Sequence, residues 1–145
     1  MTPAEELLAI EKIKQLKARY FRLMDTKRWD ELGSVFAAAA ELDVRQDAGQ
    51  DAGHVRGRER IVDAIRSAVD AARTVHHGHM PEIELSGPDS ARGTWSMYDY
   101  VEWPAEAGRH GFHGFGHYEE TYRIEDGAWR IATLRLTRIR RDPLS

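Results

Sequence analysis

The chain has 145 residues, 41% of them hydrophobic and 31% charged, with a formal net charge of -3 at pH 7. That length supports one domain, residues 1–145, with a core that needs no covalent staples, and the charge gives no reason to expect nucleic acid or an anionic membrane as partner. With no cysteine there is no disulfide, thiol nucleophile or thiolate metal site, which fits a cytoplasmic protein.

The N-terminal M-T-P-A-E-E-L-L has no basic segment followed by an apolar one, so no signal peptide is expected. No apolar run approaches the roughly 20 residues that span a bilayer. Thr2, Pro3, Glu5 and Glu6 instead read as a helix start: a cap, a proline in the first turn, and acids at the positive end. Ile10, Ile13, Leu16, Tyr20 and Met24 recur at helical spacing, with Lys12, Lys14, Lys17 and Arg19 filling gaps between them. This predicts an amphipathic helix of about 20 residues ending near Asp25-Thr26. Trp29–Phe36 reads as a second, short helix that Asp25 or Thr26 could cap.

Glu41–Arg45 is expected to be a short strand and Gln46–Val55 a polar loop, either a connector or a mobile lid. After Gly57, the positions of Ile61, Ile65 and Val69 predict a third helix. Four strands follow: Val75–Leu85, with Pro81 marking an edge or a bulge; Ala91–Trp103; Phe112–Ile124; and Ala128–Ile139. Glu125-Asp126-Gly127 is a hairpin turn. Arg138-Ile139-Arg140-Arg141 reads as a charged, solvated end. On the second long strand Ala91, Gly93, Trp95, Met97, Asp99, Val101 and Trp103 share one face, which places the Asp99 carboxylate in an apolar row. A sheet with two partly apolar faces needs both covered. The helices can cover one, and a second copy of the chain is expected on the other, giving a homodimer or homotrimer.

The chemistry concentrates in Thr74–Leu85, T-V-H-H-G-H-M-P-E-I-E-L, which carries three of the seven histidines. Imidazole is suited to moving a proton near neutral pH. A carboxylate that fixes its tautomer would complete it, and Asp25 in Y-F-R-L-M-D is the candidate. Adjacent strand positions point to opposite faces, so His76 and His77 cannot easily share a metal ion, and no metal is expected.

This layout resembles the SnoaL-like branch of the NTF2-like superfamily. The resemblance rests on the order and spacing of Y-F-R-L-M-D-T-K-R-W-D-E-L, G-R-E-R-I, T-V-H-H-G-H-M-P-E-I-E-L, G-H-Y-E-E-T-Y and D-G-A-W-R-I. It is strongest to the scytalone dehydratase, bile acid 7α-dehydratase and γ-hexachlorocyclohexane dehydrochlorinase group. It implies an α+β fold, a cone-shaped barrel in which a curved antiparallel sheet packs on three N-terminal helices. It also implies an Asp–His dyad in an apolar pocket, without metal or organic cofactor. The matching positions are Asp25 and His76, with His77 as the alternative one residue on. Tyr20 and Asp99 match further pocket groups of the bile acid enzyme. Arg135 lies near a pocket arginine of the dehydrochlorinase, and His113 or His117 could serve as a second histidine.

The expected chemistry has His76 remove a proton from carbon while Asp25 holds its other ring nitrogen. A phenol (Tyr20, Tyr98 or Tyr118), or an Asp99 kept protonated by burial, would act as donor, and Trp95, Met97, Tyr118, His113 and Arg135 would contact the substrate. The expected function is β-elimination on a small apolar cyclic substrate. The alternatives are an isomerase or cyclase of the ketosteroid-isomerase or polyketide-cyclase kind, and a binding protein without turnover.

Overall fold

The computed structural model describes residues 1–145. Helix α1 (Pro3–Asp25) opens with a capping box: the Thr2 hydroxyl accepts from the Glu5 amide, and the Glu5 side chain accepts from the Thr2 amide. Helix α2 (Trp29–Leu32) runs into a 3-10 turn over Gly33–Val35. Strand β1 (Phe36–Asp43), α3 (Arg45–Ala52), β2 (His54–Arg56) and α4 (Arg58–Val69) follow, and then β3 (Arg73–Gly87), β4 (Ser90–Glu102), β5 (Phe112–Glu125) and β6 (Ala128–Pro143).

The six strands form one sheet in the order β2-β1-β6-β5-β4-β3. Strands β3 to β6 are the expected meander. The sheet is not wholly antiparallel, because β1 lies parallel to β6. The first strand begins at Phe36, not Glu41. Phe36, Ala37, Ala40 and Leu42 are buried, and removing that surface from water pulls the alanine run into the sheet. The segment expected to be a polar loop, connector or lid, Gln46–Val55, instead holds most of α3 and the start of β2.

Helix α1 lies across the inner sheet face and buries Ile13, Leu16, Tyr20, Leu23 and Met24 against Trp95, Met97, Tyr118, Tyr122 and Leu134. Each fully buried side chain of this size contributes about 1.5–3 kcal/mol. Asp126 and Gly127 both have positive φ, 53° and 76°, as a two-residue hairpin turn requires. Strand β3 is an edge strand, as Pro81 suggests, and its register shifts between His79 and Glu82. No helix is long and apolar enough to cross a membrane.

Candidate active site

Asp25 is the last residue of α1, and its carboxylate turns away from α2, whose N-terminus has no side-chain cap. It faces β3 instead. Oδ1 accepts from the Thr74 hydroxyl (2.9 Å) and lies 2.6 Å from His76 Nδ1, while Oδ2 accepts from the His76 amide at 2.9 Å. Lys27 Nζ donates to Thr74 Oγ1 and to the Val69 carbonyl, at 3.2 and 2.9 Å, holding that threonine in place. An ionised carboxylate only accepts hydrogen bonds, so this geometry suits a His76 tautomer with its proton on Nδ1 and Nε2 bare. His76 lies on the inner face and is buried, whereas His77 is exposed on the outer face; strand alternation thus separates the two candidates. The ring of Phe21 stacks on His76, with centroids 6.2 Å apart and planes 10° from parallel.

His76 Nε2 points toward Asp99, 3.9 Å from its Oδ2. That is too far for a hydrogen bond. Asp99 is not the isolated acid expected from the apolar row. Both its oxygens are held by Arg138, at 2.6 and 2.9 Å, in a bidentate fork. Arg138 also corrects the reading of residues 138–141 as solvated, since only 10% of its side chain is exposed. Burial opposes its charge, but the hydrogen bonds to Asp99 and Asp47 outweigh burial and hold its pKa above the ordinary value.

Register explains both arginines. Tyr122 pairs with Ile131 and Thr121 with Thr133, so Ala132 is an extra residue that reverses the alternation of β6. Leu134, Leu136 and Arg138 therefore turn inward. Arg135 turns outward toward Asp43 and Glu119, with 58% of its side chain exposed. Room for the ion pair comes from Gly114, where a Cβ would collide with Asp99 Oδ1 and Arg138 Nη1. Gly114→Ala is therefore expected to split the Asp99–Arg138 fork and cost about 1–3 kcal/mol, read as a lower thermal midpoint.

Beneath these groups lie Tyr20 and Tyr118, whose rings meet edge-on at 6.2 Å. Below them Lys17, fully buried, pairs with the equally buried Glu120 at 2.6 Å. The Lys17 ammonium sits over the rings of Tyr118 (3.5 Å) and Tyr20 (4.1 Å). Tyr122 donates to Glu120 at 2.7 Å and accepts from the Trp95 indole at 2.9 Å. Burial pulls the Lys17 pKa down to about 8, with Glu120 partly offsetting it. Burial, reinforced by Glu120 among other charges, raises the pKa of Tyr20, Tyr118 and Tyr122.

These phenols give an alkaline prediction. In the unfolded chain they ionise near pH 10, while in the folded chain they keep their protons. Above pH 10 the native state thus binds more protons, and stability falls by about 1.4 kcal/mol per pH unit for each phenol. Lys17 has the opposite sign, since the unfolded chain binds its proton more tightly from about 8 up to 10.5, so the phenol slope is cleanest above that window. In a titration followed at 295 nm, three of the five tyrosines are expected to ionise only as the protein unfolds.

Of the expected site residues, Asp25, His76 and Asp99 meet at one end of the inner face, and Tyr20, Met97, Tyr118 and Trp95 continue from them toward the Lys17–Glu120 pair. His113 does not join them: its Nδ1 lies 2.7 Å from the Tyr98 hydroxyl, and His113 and His117 pair across the sheet with Tyr100 and Ser96 of the outer face. Reading from sequence missed Lys17, Phe21, Thr74, Glu120 and Arg138 as members of this cluster. For Lys17 and Phe21 a signal existed, since Lys17, Phe21 and Asp25 are four residues apart and share one stripe of α1. No three histidine, aspartate or glutamate side chains are placed to hold a metal ion. A polar surface hollow of about 720 Å³ is bordered by Glu82, Glu84, Arg92, Glu119 and Arg135, apart from Asp25 and His76.

A two-layer α+β cone with a buried histidine–carboxylate pair inside its sheet has the NTF2-like architecture. Residues 5–135 match the SnoaL-like domain, and the chain belongs to that family. A curated relative, Probable cyclase FGR4 of Gibberella zeae, is 25% identical over 146 residues, covering 96% of this chain and 95% of the relative. Among solved structures, a candidate scytalone dehydratase from Novosphingobium aromaticivorans DSM 12444 superposes with a TM-score of 0.86 at 17% identity, covering 99% of this chain and 93% of that one. The hexachlorocyclohexane dehydrochlorinase LinA-type3 of Novosphingobium barchaimii LL02 gives a TM-score of 0.84 at 20% identity, with coverage of 99% and 95%. At these identities the two structures establish the shared fold.

Proposed function

We propose that the protein is an acid–base lyase that needs no cofactor and carries out β-elimination on a small, largely apolar cyclic substrate. The observation that carries this reading is the 2.6 Å contact between Asp25 and His76 Nδ1, with the bare Nε2 turned toward Asp99. Nε2 takes the proton from a substrate carbon. The C–H electrons become the new double bond, and the leaving group departs from the neighbouring carbon as halide, or as hydroxide that takes the proton from the His76 imidazolium and leaves as water. Asp25 and Asp99 stabilise the imidazolium that forms, and Tyr20 or Tyr118 donates a hydrogen bond to the departing group or an activating carbonyl. Asp99, paired with Arg138, supports charge here in place of the proton donation expected from sequence.

The name of the Gibberella zeae relative favours a second reading, in which the same proton abstraction leads to ring closure or isomerisation. The isomerisation or cyclisation reading predicts that a bound substrate exchanges its activated carbon-bound hydrogen with D2O, and the elimination reading predicts an unsaturated product with release of water or halide. The test is mass spectrometry and NMR of a panel of cyclic alcohols, halides and ketones incubated with the protein. A compound that binds against His76 yet neither exchanges nor reacts would leave a binding protein as the better account.

The outer sheet face, with Val75, Phe115 and Ile139 41%, 38% and 75% exposed, is where we place a second copy of the chain. Sedimentation at the single-chain mass of 16.6 kDa would contradict this.

A further inference from the structure

The groups assigned to chemistry are closed off. Only 7% of the His76 side chain, 3% of Asp99 and 10% of Arg138 are exposed. A ligand reaches Nε2 only if something moves, and α3 is the element at this end with the least to lose. None of its residues is buried, and Gly49 breaks its helical path with a φ of 85°. Its side chains hold the sheet through one end of β6. Gln46 accepts from the Arg138 amide at 2.7 Å. Asp47 takes the Nε and Nη2 groups of Arg138 at 3.1 and 2.9 Å, and also Arg141 at 2.8 Å.

Arg138 thus lies between two carboxylates. One edge holds Asp99, beside His76, and the other holds Asp47, on the surface helix. If α3 swings away, Asp47 leaves with it and the outer edge of a mostly buried guanidinium loses its partner. An unpaired buried donor of this kind is costly. A neutral ligand leaves that cost standing, whereas a carboxylate on the ligand removes it by taking the same two N–H groups, a geometry suited to a guanidinium.

We propose that α3 is a gate latched by Asp47 on Arg138, and that the site takes a ligand carrying a carboxylate, which replaces Asp47 on the Nε/Nη2 edge of that arginine. The carboxylate adds a specificity element to the apolar substrate proposed above and rests on that reading for its chemistry. Its test does not depend on turnover, so the two can fail separately.

The probe is sodium benzoate, a flat apolar ring with one carboxylate, and benzamide is its neutral counterpart. Binding is followed through the Arg138 Nε–H resonance, and gate opening through hydrogen–deuterium exchange of residues 45–52. Benzoate is expected to shift that resonance and speed exchange in 45–52 several-fold, while benzamide does neither. Asp47→Asn is expected to speed exchange there without ligand and to tighten benzoate binding about tenfold. Equal binding of benzoate and benzamide would overturn the proposal, as would an Asp47→Asn protein whose exchange and benzoate affinity match the parent.

Discussion

Replacing His76 by Ala is expected to lower turnover by about 10²–10⁴-fold at nearly unchanged substrate affinity, because the imidazole is the group proposed to take the substrate's proton, with its Nε2 turned toward Asp99 at 3.9 Å. Asp25→Asn is the sharper variant. An amide can present its N–H to Nδ1, which would drive the proton to Nε2 and remove the base while leaving the ring in place. A loss close to that of His76→Ala is therefore expected, with the fold intact by circular dichroism. If Asp25→Asn keeps most of the activity, the carboxylate serves structure alone.

The second large effect concerns stability. Lys17→Met strands the Glu120 carboxylate in the core, where it has lost its cation and keeps only the Tyr122 hydroxyl. Breaking a buried pair from one side costs about 3–5 kcal/mol, or roughly 6–20 °C in midpoint for a domain of this size. Lys17→Met combined with Glu120→Leu removes both charges and is expected to recover most of that loss. A double variant as unstable as the single one would mean that Tyr122 and Trp95 depend on Glu120 more than Glu120 depends on Lys17. Chemical denaturation of the parent, the two single variants and the double variant gives the coupling directly.

Much of this site can be read from the residues, and the remainder is hidden by identifiable physics. The helix period places Asp25 at the end of α1, and strand alternation puts Asp99 on the inner face and separates His76 from His77. Lys17 is the instructive failure. A lysine among Lys12, Lys14 and Arg19 looks like a solvated gap-filler, and only the Lys17–Phe21–Asp25 stripe hints that it points inward. Its partner Glu120 lies on another strand, 103 positions away, and no local pattern links the two. Arg138 fails for a different reason. The extra residue at Ala132 reverses the parity of β6, and a bulge leaves no reliable mark in one sequence. Arg135, the position that the resemblance implied, is turned outward by that reversal. The α3 segment, R-Q-D-A-G-Q-D-A, carries no large apolar residue and shows no amphipathic face, so its helix could not be read in advance.

The most direct measurement is the tautomer of His76, read from long-range ¹H–¹⁵N spectra of its ring at mildly alkaline pH. The account predicts a protonated Nδ1, shifted by its short hydrogen bond to Asp25, and a bare Nε2, with the pattern reversed in Asp25→Asn. A proton resident on Nε2 in the parent protein would contradict it, because the nitrogen assigned to take the substrate's proton would already hold one.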